Sequence, residues 1–111
     1  MDIYQPTTKE LKMSKSIRTN NSNVASNWST NTPSHSNNKQ LTTDGQNLYS
    51  YRQLIGITLD NGDKLALNYM SRGGGCYISN TTSQHVSLAS RNADQTMNPD
   101  VAKEAGLINN V

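Results

Sequence analysis

The sequence predicts a small α+β domain, in which an antiparallel sheet carries one or two helices on one face. Residues 49–59 alternate between apolar and polar side chains, and residues 64–69 do so again. Such a period of two is typical of strands with one buried face. Asn61-Gly62 lies between the two segments and favours a two-residue turn, because both of its positions need a positive φ. After residue 82 the apolar residues recur at helical spacing, which completes the mixed class.

The central hairpin is predicted to span residues 49–70. Arg72-Gly73-Gly74-Gly75 then interrupts the pattern, because consecutive glycines favour a loop over an extended strand. Residues 76–79 are predicted to return as a third strand, antiparallel to the second. The hairpin side chains expected to face the core are Tyr49, Tyr51, Ile55, Ile57, Leu59, Leu65, Leu67 and Tyr69.

A first helix is predicted over residues 82–93. Thr81-Thr82-Ser83-Gln84 fits a capping box, in which Thr and Gln side chains each bond a free backbone amide at the start of the helix. Residues at helical spacing then form a stripe suited to packing on a sheet. The members of this stripe are Val86, Ala89, Ala93 and Met97.

A second helix is predicted over residues 99–105. Asn98 suits its N-cap, and Pro99 suits its first position, where a missing amide proton costs nothing. Gly106 is expected to end this helix, with Leu107 as the apolar residue that seals the end.

Residues 1–22 show no clear period and are predicted to form a flexible basic arm before a single domain over residues 23–111. A short basic helix within the arm is the alternative. Val24–Trp28 is predicted as a short strand in a segment rich in Asn, Ser and Thr. We expect Trp28 to be buried, because a lone Trp in polar surroundings usually anchors its segment through the ring.

The composition limits the size of the core and the class of partner. The chain has 111 residues, 32% of them hydrophobic and none of them Phe, while Asn, Ser and Thr occupy 39 positions. This supports one small domain. The net charge of +2 is uneven, with +3 in residues 1–40 and −1 in residues 41–111. A nearly neutral domain argues against both a strong nucleic-acid footprint and an acidic mimic of DNA.

Cys76 is the single cysteine, which excludes an intrachain disulfide and a cysteine-based zinc site. We expect it to be a structural thiol. No apolar run is long enough to span a membrane, and residues 1–6 lack the features of a signal peptide. The expected location is therefore the cytoplasm, without a membrane partner.

Three short segments resemble a family of small phage-encoded proteins that is grouped only as a domain of unknown function. The segments are Trp28–His35, Leu48–Tyr51 and Thr81–Val86, and the resemblance covers roughly residues 24–99. It implies an origin in a phage or another mobile element and names no reaction.

The candidate site residues are contacts for a partner, since the sequence predicts no catalytic residue, no metal ligand and no cofactor. His35 and His85 could act as an acid–base pair, but surface or turn histidines are the favoured interpretation. The glycines after Arg72 could cradle a phosphate, yet no helix follows them directly, so a hairpin loop is favoured. The predicted contacts are Arg72, Gly73, Gly74, Gly75, His85, His35, Lys12, Lys15 and Arg18.

Three functions are compatible with these residues. The favoured one is an interaction protein that binds a host or phage macromolecule, most simply a protein, and that could thereby inhibit a bacterial defence system or host enzyme. Its contact surface is expected at a loop-rich end with Arg72–Gly75, His85 and residues 30–36. The second is a nucleic-acid binder that uses the basic arm and stacks bases on tyrosines, although core packing is preferred for the tyrosines. The third is a small nuclease that uses His35, His85 and Arg72.

Overall fold

A computed structural model describes residues 16–69 and 80–108 of the chain. The predicted strand 76–79, Cys76, the Arg72–Gly75 loop and most of the arm lie outside the described residues. None of the helices that are described is long and apolar enough to cross a lipid bilayer.

The α+β class is confirmed, with a larger sheet than expected. The strands are β1 (Ile17–Arg18), β2 (Ser34–His35), β3 (Leu41–Thr43), β4 (Leu48–Ser50), β5 (Gln53–Thr58), β6 (Lys64–Leu67) and β7 (Gln95–Met97). The helices are α1 (Asn21–Ser29), α2 (Asn80–Asn92) and α3 (Pro99–Glu104), and a 3-10 turn occupies Asn37–Lys39. The described strands form one seven-stranded sheet whose spatial order follows the chain.

The sheet combines an antiparallel centre with a parallel pair at each edge. Strands β2 to β6 pair antiparallel with their neighbours, while β1 pairs parallel with β2 and β6 parallel with β7. A parallel pair needs a crossover connection, and a helix lies in each of the two connecting segments, α1 after β1 and α2 before β7. Both helices contact the sheet and each other.

Helices α1 and α2 cover one face of the sheet, where the main core lies. Val24 and Trp28 of α1 and Val86 and Ala89 of α2 are fully buried. The sheet residues beneath them are Leu41, Leu48 and Ala66, all fully buried. Burial of Trp28, Val86 and Ala89 confirms the sequence-based expectations for these residues.

Among the described residues, those that cover the second face lie along the strands that follow β4. Ile57 and Leu65 are opposite each other on this face, and both are buried. Ala102 of α3 and Ile108 belong to the same apolar cluster, and Gly106 and Leu107, which follow α3, line a cavity together with Ile57. The short helix therefore shields the β5–β6 half of this face.

The hairpin β5–β6 is confirmed, but its turn is not the expected two-residue type. The Gly62 amide donates to the Leu59 carbonyl at 2.8 Å, and the Leu59 amide donates to the Asp63 carbonyl at 2.8 Å. Gly62 has a φ of 94°, whereas Asn61 is not among the residues with positive φ. This is a type I turn followed by a left-handed glycine, the usual solution for a slightly longer hairpin loop.

The prediction of one strand from residue 49 to 59 is wrong, because the chain reverses at Tyr51. Tyr51 has a φ of 55° and joins β4 to β5, which pair antiparallel. Leu48 and Ser50, rather than Tyr49 and Tyr51, face the helices. The alternation of apolar and polar residues continues across the turn, so the period of two gives no sign that the chain reverses its direction at Tyr51. Tyr69 is buried as expected.

Val24–Trp28 belongs to helix α1 and not to a strand. The Asn20 side chain accepts a bond from the Asn23 amide at 2.8 Å and caps this helix. The prediction missed the helix because its segment is mostly polar, and its few apolar residues, such as Val24 and Trp28, are one turn apart. Residues 16–22, assigned to the end of the arm, contain β1 and the first residues of α1.

The helices after residue 80 agree with the predictions in most respects. Helix α2 begins two residues before the predicted start, and α3 is capped by Asn98 with Pro99 in its first turn. Met97 lies in β7 instead of on the helical stripe. Leu107, which was predicted to seal the end of α3, is 38% exposed, and the neighbouring Ile108 is buried instead.

Candidate functional site

One cross-strand row of side chains lies on the part of the second face that α3 does not cover. Arg18 is paired with His35, His35 with Thr42, and Thr42 with Tyr49. Directly paired residues project from the same face of a sheet, so these four side chains form one row. At the usual spacing of strands the row is roughly 14 Å long. We call these four residues the open face.

The burial pattern supports this assignment. The residues that alternate with the row, such as Ser34, Leu41 and Thr43, are buried beneath α1 and α2. Arg18 is exposed and the other three members of the row are half-buried. Asn47 Nδ2 donates to the Tyr49 hydroxyl at 3.3 Å, which holds the ring at the surface of the strand.

Arg18 and His35 also border a cleft of about 540 Å³ at the edge of the sheet. The residues that line this edge cleft are Arg18, His35, Ser36, Asn37, Asn38 and Lys39. Arg18 Nε donates to Asn37 Oδ1 at 2.9 Å, so the guanidinium is positioned while its Nη groups have no partner within residues 16–69 and 80–108. Ser16 Oγ lies 2.8 Å from His35 Nδ1 on the other side.

The floor of the edge cleft is the 3-10 turn between β2 and β3. Asn38 and Lys39 have φ values of 61° and 54°, and the Lys39 amide donates to the Ser36 carbonyl at 2.9 Å. Asn tolerates this left-handed region, whereas Lys adopts it less readily. A second cleft of about 220 Å³ shares Ser36–Asn38 and extends the polar groove toward Gln40.

Along strands β1 to β5, carboxylates are confined to one end of the sheet, although Asp100 follows β7 at the other end and Lys64 and Arg91 lie near the carboxylates. The end that carries Arg18, Lys39 and Arg52, which we call the basic end, has no acidic residue in β1 or in the turns at 36–40 and 51–52. The opposite end carries four carboxylates, in the turns at 44–47 and 59–63 and directly after α2. These are Asp44, Asp60, Asp63 and Asp94. Such a separation steers anionic partners toward the basic end.

His85 does not belong to this surface. Its side chain is 2% exposed, and its Nδ1 lies 2.7 Å from Ser50 Oγ, which is itself 3.2 Å from Thr82 Oγ1. Burial lowers the pKa of His85 below its ordinary value. The ring centre of Tyr51 lies 6.1 Å from that of His85. Because Ser50 faces the helices, His85 lies on the opposite side of the sheet from His35.

The predicted contacts are therefore distributed as follows. Arg18 and His35 lie together at the edge cleft, whereas His85 is buried on the other side of the sheet. The remaining predicted contacts, which are Arg72, Gly73, Gly74, Gly75, Lys12 and Lys15, lie outside the described residues. Helix α2 starts beside Ser50 and ends near Lys64, whose amide donates to Asp94 Oδ2 at 2.8 Å.

Sequence reasoning missed Lys39, Asn37 and Thr42 as members of the site. The left-handed turn that presents Lys39 has no signal in the sequence beyond a pair of asparagines. The sequence makes Tyr49 a candidate for base stacking, but the period-two pattern favours the core because it gives no sign of the reversal at Tyr51.

Among the residues that the structure describes, no group of three or more His, Cys, Asp or Glu side chains could hold a metal ion. No family model, curated protein or solved structure matches the chain.

Proposed function

We propose that this protein is a small interaction protein that binds an anionic macromolecular partner through the open face and the edge cleft, without chemistry of its own. The observation that carries the proposal is the row from Arg18 to Tyr49, which none of the described helices covers and which continues into a polar cleft. A sheet face left open beside such a cleft is a surface on which a partner can lie. Loops and edges of this kind carry function more often than core positions do.

The separation of charge supports an anionic partner. Arg18 and Lys39 border the cleft, Arg52 lies in the neighbouring turn, and the four carboxylates of the opposite end are remote from them. Rim charges of this type mainly raise the association rate and fix orientation. The partner is therefore expected to present phosphates or carboxylates to the basic end.

The positions of the two histidines speak against a nuclease that depends on both. A general acid and a general base must reach one substrate. His35 borders the cleft, whereas His85 is buried on the helix side of the sheet and bonded to Ser50. The phage origin and the inhibition of a bacterial defence system or host enzyme stay predictions that rest on the family resemblance.

A comparison of charge variants in affinity capture tests the proposal. The bait is the full chain, as wild type or with Arg18→Glu and Lys39→Glu together, and the matched control is Arg91→Glu. Arg91 is exposed in the last turn of α2, at the other end of the sheet. The partner should be retained by wild type and control and lost by the double variant, with melting temperatures unchanged. Equal retention by all three baits would contradict the assigned surface.

A further inference from the structure

We infer that the anionic partner is single-stranded nucleic acid, whose phosphates bind at the basic end and one of whose bases stacks on Tyr49. The inference rests on the proposed function and names its partner. Non-specific binding to single strands combines a cationic groove that follows the backbone with aromatic rings on which bases stack. The row Arg18–His35–Thr42–Tyr49 places a cation and an aromatic ring on one face, roughly 14 Å apart.

The polar groups of the edge cleft suit the phosphate and sugar positions. Arg18 is held by Asn37 through Nε, which leaves its Nη groups for a phosphate oxygen. Lys39 and the side-chain amide of Asn38 line the same cleft. Asn side chains donate and accept, so they match both sugar hydroxyls and base edges.

The polar lining of the edge cleft favours nucleic acid over an acidic protein. Stable protein interfaces have an apolar, desolvated centre within a polar rim. The exposed large apolar side chains of the described residues are Ile17, Tyr51, Val101 and Leu107. Ile17 and Tyr51 lie at the basic end but do not line the edge cleft, and Val101 and Leu107 belong to α3 and the residues after it. The edge cleft itself is lined by charged, amide, imidazole and hydroxyl side chains.

The shape of the surface favours a single strand over a duplex. Sequence-specific duplex binders insert a helix or a two-stranded ribbon into the major groove. The open face is formed by paired strands, with α1 and α2 on the other side of the sheet. A ring at the surface of a strand can stack only on a base that is not already stacked within a duplex.

Fluorescence anisotropy with labelled 20-nucleotide oligo-dT and oligo-rU tests the inference on the full chain. Three cationic contacts predict a slope of about −2 when the logarithm of the affinity is plotted against the logarithm of the salt concentration. The affinity should therefore fall about 20-fold between 50 and 200 mM salt. Arg18→Gln should weaken binding and reduce the slope by about 0.7. Tyr49→Thr should weaken binding at least about 5-fold without changing the slope, while Tyr49→Phe retains it. Arg91→Gln is the matched control.

Three results would overturn the inference. The first is that neither oligonucleotide binds, while the Arg18→Glu, Lys39→Glu double variant still fails to capture the partner that wild type captures. This result would leave the proposed function in place with another anionic partner. The second is equal or tighter binding of a duplex of the same length. The third is competition by polyglutamate as effective as that by unlabelled oligo-dT. A variant set that changes neither oligonucleotide binding nor capture would overturn the proposed surface as well.

Discussion

The indole ring of Trp28 lies directly on the backbone of Gly56. A Cβ atom at Gly56 would be 2.7 Å from Cζ2 of the ring and 3.0 Å from Cη2. The indole Nε1 also donates to the Gln46 carbonyl at 2.9 Å. One side chain therefore ties α1 to strand β5 and to the turn before β4, because glycine lets the ring approach the strand.

Gly56→Ala should destabilise the fold. The added methyl group must displace a fully buried ring, and overpacking of a core typically costs about 1–3 kcal/mol. The free energy of unfolding from urea titration measures this loss. In a Trp28→Phe background, where the outer atoms of the indole are gone, the same substitution should cost less, as a double-mutant cycle would show. Equal costs in both backgrounds would contradict the contact.

Lys64→Met should also destabilise the fold, because Lys64 is only 3% exposed and its ammonium makes hydrogen bonds inside the protein. Its Nζ donates to Asn31 Oδ1 at 2.8 Å, Gly45 O at 3.0 Å and Thr58 Oγ1 at 2.5 Å, and it lies 5.7 Å from the centre of the Trp28 ring. Burial lowers its pKa, and Asp44 and Asp94 partly oppose this shift. Loss of the ammonium leaves the buried Gly45 carbonyl without this donor, and an unsatisfied buried acceptor costs about 1–3 kcal/mol.

The control for Lys64 is Lys103→Met on the exposed side of α3. A surface substitution of this kind should change the free energy of unfolding by at most about 0.5 kcal/mol. If Lys64→Met is no less stable than this control, the three bonds of Lys64 do not stabilise the native state.

The sequence predicted the elements whose signals are local and missed those that depend on tertiary contacts. Hairpin β5–β6, helix α2 and the Asn98–Pro99 start of α3 each have their own pattern or cap. Helix α1 has little amphipathic signal, and its place is fixed by the contact of Trp28 with Gly56, 28 positions along the chain. The burial of Lys64 has no local signal in the sequence, because its acceptors Asn31 and Gly45 are brought to it only by the fold.

The candidate site was harder to predict than the fold. Arg18 and His35 are 17 positions apart and meet only because β1 pairs parallel with β2. Strands of two residues carry no readable alternation. The burial of His85 likewise depends on Ser50, which belongs to a strand that the sequence pattern merged with the next.

Stability should fall in mild acid because of His85. The unfolded chain titrates near the ordinary value of 6.5, whereas burial lowers the pKa of His85 in the folded chain. As pH falls through 6.5 the unfolded state therefore takes up the proton first, and the free energy of unfolding decreases until the folded pKa is passed. The slope from one such group is at most about 1.4 kcal/mol per pH unit.

Chemical denaturation between pH 8 and pH 5 measures the effect. His85→Gln should flatten the acid limb of the stability curve, whatever its effect at pH 8. His35→Gln should keep that limb, because it leaves His85 in place. Identical acid limbs for wild type and His85→Gln would show that other groups cause the dependence.

Tyr51→Asn should leave the fold as stable as wild type or stabilise it by up to about 1 kcal/mol. A bulky residue at a φ of 55° is strained, and Asn tolerates this region best among the residues with a Cβ atom. The Tyr51 amide bond to the Gln40 carbonyl at 2.8 Å belongs to the backbone and persists in the variant. The ring is 52% exposed, so its removal exposes little new apolar surface.

Tyr51→Val should instead destabilise the fold, since a β-branched residue resists positive φ. Thermal unfolding of the Tyr51→Asn and Tyr51→Val variants gives the comparison. A marked loss of stability in Tyr51→Asn would mean that the ring contact with His85 outweighs the backbone strain. Because Tyr51 lies on the His85 side and Tyr49 on the open face, oligonucleotide binding should respond to Tyr49→Thr and not to Tyr51→Asn.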